Sequence, residues 1–107
     1  MKNIVLTGFM GSGKSSVGEI IAKRLGMKVI DTDDLIEEKM RISINDIFSR
    51  YGEPHFREVE TGVVKEVSKL DGHVIITGGG VVLNKSNIEN LRTNGVIVYL
   101  HVSPEDA

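Results

Sequence analysis

The chain's 107 residues include no cysteine, no tryptophan and only two prolines. Without cysteine there can be no disulfide staple, no thiolate metal site and no thiol nucleophile. That absence fits a reducing compartment, and the expected setting is cytoplasmic. Neither sign of charge is in excess: 13 basic side chains face 15 acidic ones, for a formal charge of -2. There is accordingly no electrostatic case for nucleic acid or for an anionic membrane as partner. No apolar run approaches the ~18 residues that a membrane span needs. The run Ile4-Val5-Leu6 near the start is too short for a signal peptide and is interrupted by Gly8. Internal repeats and low-complexity tracts are also lacking.

What is present is an ordinary globular composition, 40% hydrophobic and 26% charged. A chain of this length makes one domain and buries roughly 65% of its unfolded surface. Glycine is the exception: 12 residues, about 11% against a usual ~7%.

Four apolar runs read as strands: residues 3–7, 28–30, 73–77 and 96–102. They lack polar alternation, which predicts strands covered on both faces, as in a parallel sheet. Val17, Ile20, Ile21 and Leu25 fall at helical spacing before Gly26, and Leu35, Ile36 and Met40 suggest a second, shorter helix. Ser43 is a predicted N-cap for an Ile44-Ile47-Phe48 face, with His55 exposed in a turn beyond it. Val59, Val63, Val67 and Leu70 mark a longer helix ended by Asp71-Gly72, and Ser86 is a predicted cap for a segment with Ile88 and Leu91. Strands alternating with helices predict an α/β doubly wound parallel sheet with helices on both faces. Ligands of such sheets sit beyond the strands' carboxyl ends, which directs attention to the residues after Thr7, Ile30, Thr77 and Val102.

After the first strand stands Gly8-Phe9-Met10-Gly11-Ser12-Gly13-Lys14-Ser15, a complete G-x-x-x-x-G-K-[ST] pattern. The glycines let successive N–H groups turn inward on phosphate oxygens, and the next helix adds its positive N-terminal end. Lys14 would neutralise β- and γ-phosphate charge, and the Ser15 hydroxyl would ligate Mg²⁺. Asp31 and Asp33 follow the second strand, and either can serve a metal's water shell or accept a proton. Helix capping is the competing explanation for this acidic run. Arg57 and Glu60, three apart, make either a surface pair or a clamp for a substrate carboxylate. Phe48 and Phe56 either wall a ring or fill the core. Gly78-Gly79-Gly80 at the third strand's end is a flexible turn, or a place where a ligand approaches backbone N–H groups. No aspartate ends that strand, so a metal held by Ser15 would need another acid, and Asp31 is the nearest.

Taken in order, G-F-M-G-S-G-K-S, V-I-D-T-D-D-L-I-E, I-N-D-I-F-S-R-Y-G-E-P-H-F-R-E-V-E and I-I-T-G-G-G-V-V resemble the shikimate kinase family across nearly the whole chain. The resemblance implies a P-loop NTPase-type fold and transfer of the γ-phosphoryl group of ATP, with Mg²⁺, to the 3-hydroxyl of shikimate. It implies that Gly11, Ser12, Gly13, Lys14, Ser15 and Ser16 hold the nucleotide, and that Ser15 and Asp31 serve the metal. Asp33 would bind the shikimate hydroxyls and act as base, with Lys14 sharing the catalytic work. Arg57, steadied by Glu60, would bind the carboxylate, Gly79 and Gly80 would offer backbone contacts, and Phe48 and Phe56 would lie beside the ring.

Members of the family continue past the strand matched by residues 96–102 into an arginine-bearing lid, a further strand and an adenine-binding loop. The expectation is therefore one P-loop kinase domain over residues 1–107, without that lid and last strand. Its fourth strand would be an exposed edge, and the 107 residues alone would be nearly inactive. At full length the protein is expected to be monomeric. Two other readings remain: a gluconate kinase-like enzyme of the same group, and a non-catalytic nucleotide-binding fragment.

Overall fold

The structure is a computed structural model and describes residues 2–8 and 14–100. Four strands, β1 (Asn3–Gly8), β2 (Lys28–Asp31), β3 (His73–Ile76) and β4 (Gly95–Leu100), form a sheet in the order β2-β3-β1-β4. All pairings are parallel, with Leu6 opposite both Ile76 and Val98, and Val29 opposite Val74. Four helices connect and flank them: α1 (Lys14–Leu25), α2 (Thr32–Met40), α3 (Ile44–Val67) and α4 (Lys85–Thr93).

Alternation along the strands divides the core in two. Val5 and Ile75 face Ile36, Ile47, Phe56, Val63 and Leu91 of α2, α3 and α4. Their neighbours Leu6 and Val74 face Ala22 of α1, with Val17 and Ile21 packed alongside. The order of the strands explains the division. From β1 to β2 the chain travels one way across the sheet, and from β2 through β3 to β4 it travels back, so crossovers of one hand fall on opposite faces.

The expectation of strands buried on both faces holds for β1 and β3 and fails for the outer two. On β4, Val96 is 55% exposed and Val98 38%. Among the described residues β4 is an edge of the sheet, as expected, and so is β2; an edge strand keeps one side free of neighbours. Residues 101–102, the end of the predicted fourth strand, lie outside the described residues.

Several helix ends differ from the sequence reading. Gly26 (φ 67) closes α1 and Ser43 caps α3 as predicted, its hydroxyl accepting from the Asp46 N–H. The predicted turn at His55 is instead helix: α3 breaks at Gly52 (φ 83, ψ 168), and His55 lies in its second half, beside Tyr51. That break admits Pro54, which would otherwise clash with the preceding turn. The helix stops at Val67 and not at Asp71; the Ser68 hydroxyl bonds back to the Val64 carbonyl at 2.6 Å. The cap of α4 is Asn84, whose side chain accepts from the Ser86 N–H, so Ser86 is inside the helix.

Candidate active site

Three chain segments converge at the carboxyl ends of the strands. The first is the junction of β1 and α1. Lys14 opens α1 and its Nζ donates to the carbonyl of Gly8 at 2.7 Å, holding the ammonium across the start of the glycine-rich loop. Gly11, Ser12 and Gly13 of the expected phosphate cradle lie outside the described residues. Ser15 and Ser16 are exposed in the first turn of α1, where N–H groups have no intrahelical partner.

The second segment is the end of β2. Asp31 does cap α2: its Oδ1 accepts from the Asp33 N–H at 2.8 Å and, more weakly, from the Asp34 N–H at 3.4 Å. Capping was the competing reading for Asp33 and Asp34, and both sit inside the first helical turn, after the cap. Burial pushes the Asp31 carboxyl up, the two amide bonds pulling against it. Asp33 is also raised, first by burial and then by the charge of Asp31, while Lys14 opposes both shifts. The two acids and the lysine thus share one mouth. A half-buried carboxylate made more basic than usual is suited to taking a proton from a hydroxyl.

The third segment pairs α3 with the glycines after β3. Glu60 is 2% exposed and accepts from Arg57 Nη1 at 3.0 Å, which rules out the solvated surface pair. Burial raises the Glu60 carboxyl, and the bond from Arg57 works against that rise. A second carboxylate, Glu53, stands 3.6 Å from Arg57 Nε, and the guanidinium lies 5.1 Å above the Phe56 ring. Phe56 is core, whereas Phe48 is partly exposed against it, the ring centroids 4.6 Å apart. Of the two aromatic readings, core filling holds for Phe56, and Phe48 keeps an open face.

The glycines are a seat for these side chains, not a flexible turn. A Cβ on Gly78 would lie 2.6 Å from Asp33 Oδ1, and one on Gly80 would lie 2.3 Å from Arg57 Nη1. Gly79 is exposed and its Cβ would meet nothing within 4 Å. Gly78 also donates its N–H to Thr32 Oγ1. Beside the clamp opens a cavity of about 390 Å³, lined by Arg57, Glu60 and Gly80 together with Glu53, Thr61, Leu83, Asn84 and Lys85. Thr32, Glu53 and the far wall of this cavity were missed in the sequence, whereas Gly78 was read there as part of the glycine cluster. Only the i, i+4 spacing of Glu53 and Arg57 could have signalled one of them.

The sequence model of the shikimate kinase family matches residues 10–107. The chain belongs to the shikimate kinase family. A shikimate kinase from Caldicellulosiruptor bescii is 54% identical over 105 residues, covering 98% of this chain and 61% of that protein. The solved shikimate kinase from Acinetobacter baumannii, in complex with shikimate, superposes with a TM-score of 0.93 at 40% identity, over 98% of this chain and 59% of that one. A gluconokinase from Sinorhizobium meliloti is more distant, at a TM-score of 0.61 and 25% identity over 95% of this chain and 58% of that one. The contrast disfavours the gluconate kinase-like reading. The chain spans about three-fifths of the length of the family relatives it matches.

Proposed function

We propose that this chain carries the nucleotide and acceptor sites of an ATP-dependent kinase that phosphorylates the 3-hydroxyl of shikimate to shikimate 3-phosphate, within aromatic amino acid biosynthesis. The observation that carries this reading is the Arg57 guanidinium, fixed between the buried Glu60 and Gly80 and within the same mouth as Asp33. An arginine held this way presents its remaining N–H groups to a carboxylate on a ring of cavity size.

In this reading Arg57 grips the shikimate carboxylate, Gly79 and Gly80 lie under the ring, and Phe48, backed by the buried Phe56, flanks it. Asp33 orients the ring hydroxyls and accepts the proton of the 3-hydroxyl as its oxygen attacks the γ-phosphorus. The bond from that phosphorus to the β–γ bridging oxygen breaks, and ADP leaves with the electron pair. Lys14 balances charge on the transferring group, and residues 11–16 hold the nucleotide. Most of the rate in such transfers comes from positioning and charge stabilisation.

Mg²⁺ fits the donors present: Ser15 offers an exposed hydroxyl, and Asp31 is a carboxylate with only one oxygen engaged in capping. Among the described residues no three His, Asp or Glu side chains form a cage for a metal, and Mg²⁺ on nucleotide phosphates needs only one or two protein ligands. When bound, the ion supplies neutralising charge to the phosphate oxygens. The proposed setting is the cytoplasm, and the full-length protein is proposed to act as a monomer.

Titration calorimetry tests the reading, with shikimate and gluconate added in the presence of MgADP. Shikimate should bind, gluconate should not, and Arg57→Ala should abolish the difference. Binding of nucleotide without either acid would mark a nucleotide-binding module instead.

A further inference from the structure

The acceptor site is assembled from two segments that no backbone ladder joins. Asp33 belongs to α2, whereas the glycines that seat Asp33 and Arg57 follow β3. The β2–β3 register ends at the pair Asp31 and Ile76, one residue short of both segments. Beyond that point β2 and β3 no longer pair with each other, and other bonds have to hold their two ends in register.

On the β1 side the anchor is Thr77, whose N–H and hydroxyl both donate to the carbonyl of Leu6 at 3.1 Å. On the β2 side it is Thr32. This residue is completely buried, stands between Asp31 and Asp33, and accepts the Gly78 N–H on its Oγ1 at 3.2 Å. Gly78 is the glycine whose α-carbon backs onto the Asp33 carboxylate, with room for no Cβ between them. An N–H buried beside a carboxylate, if left without an acceptor, turns toward that carboxylate.

We propose that Thr32 is a positioning residue for the acceptor site: its hydroxyl takes up the Gly78 N–H, keeps that donor off Asp33, and sets the spacing between Asp33 and the Gly80 seat of Arg57. This rests on the assignment of the mouth to shikimate, and it adds a specific residue to it. Thr32 itself touches neither reactant; it acts through Gly78. The β-branched side chain fills the buried site, and the hydroxyl supplies the acceptor. Valine therefore removes the function while keeping the volume, and serine keeps the acceptor.

The experiment uses Thr32→Val and Thr32→Ser in the intact protein, with two readouts. The first is hydrogen exchange of the Gly78 amide in the free protein, followed by NMR. The second is the affinity for shikimate alongside that for MgADP. Thr32→Val should speed Gly78 exchange about tenfold or more and weaken shikimate by a similar factor, the scale of one buried hydrogen bond lost with its donor stranded. MgADP affinity should stay within about threefold, since the nucleotide is assigned to residues 11–16 and Asp31 keeps its own bond to the Asp33 N–H, and Thr32→Ser should restore both readouts. Unchanged Gly78 exchange in Thr32→Val, or a Thr32→Ser variant as impaired as Thr32→Val, overturns the inference. So does a parallel loss of MgADP and shikimate affinity, which is the mark of a purely structural role. A wild type that binds no shikimate, yet loses Gly78 protection in Thr32→Val, overturns the acceptor assignment and supports the link from Thr32 through Gly78 to Asp33.

Discussion

Replacing Gly80 by alanine isolates the seat of Arg57. Gly80 has φ -91 and ψ -4, a conformation any residue adopts, so the substitution adds a methyl group without backbone strain. That methyl would lie 2.3 Å from Arg57 Nη1, 2.7 Å from Nη2 and 2.8 Å from Cζ. Carbon contacts settle near ~3.5 Å, so the guanidinium has to retreat by about 1 Å. Retreat breaks the 3.0 Å bond to Glu60, which is buried and then lacks its counter-ion. A hydrogen bond to a charged group contributes ~1.5–3 kcal/mol. Arg57 is 36% exposed and keeps Glu53 nearby, so part of that is recovered, leaving a stability loss of about 1–2 kcal/mol. In the proposed complex shikimate would lose the whole carboxylate contact. At 1.4 kcal/mol per tenfold, affinity falls about 10- to 150-fold. Calorimetry of Gly80→Ala beside Gly79→Ala is the assay, because the second methyl meets no protein atom within 4 Å and should leave stability within about 0.5 kcal/mol. Wild-type shikimate affinity in Gly80→Ala, together with lost affinity in Arg57→Ala, would refute the idea that Gly80 positions the clamp.

Three further outcomes are expected. The Glu60 carboxyl is raised above its ordinary 4.5 by burial, so its stabilising contribution is complete below 4.5 and is lost as pH climbs through the higher folded-state value. Melting temperatures of wild type relative to Glu60→Gln should therefore fall as pH rises above about 4.5, and a flat or rising difference contradicts the shift. Gly52→Ala forces an L-residue to φ 83 at the break of α3, with only Pro54 Cδ, at 3.8 Å, near the new methyl. It should destabilise by about 1–3 kcal/mol in denaturant melts, and an unchanged midpoint would mean the break can relax. Lys14→Ala should weaken MgATP at least about tenfold in titrations while shikimate affinity in the free protein changes little; equal losses for both ligands would count against separate sites.

What could be read from the chain follows from how local each interaction is. The strands, the loop before Lys14 and the caps at Ser43 and Gly26 depend on neighbours a few residues away, and spacing exposes them. Asp31 shows the limit of that reading. Capping was read for the acids after it, yet it is Asp31 that caps, with Oδ1, while its other oxygen has no partner among the described residues and is left for the mouth. Cap positions such as Asn84 and Ser68 were displaced because several polar residues near each end can cap, and packing of the helix chooses among them.

Arg57 and Glu60 mark the division most clearly. Their spacing of three determines that they share a helix face, because 3.6 residues make a turn. It does not determine whether that face meets water or the core, and a charged pair at this spacing is ordinarily solvated. That was decided by the break at Gly52, which re-aims the second half of α3, and by contacts from 20 or more residues away along the chain, with Gly80 under the guanidinium and Gly78 under Asp33. By itself the sequence determined the alternation of strand and helix, the glycine-rich pattern before Lys14 and the set of residue types available for chemistry. Only tertiary structure buried Glu60, fitted two side chains over two bare α-carbons and tied Thr32 to Gly78. Those contacts join segments distant in sequence, and no local pattern encodes their approach.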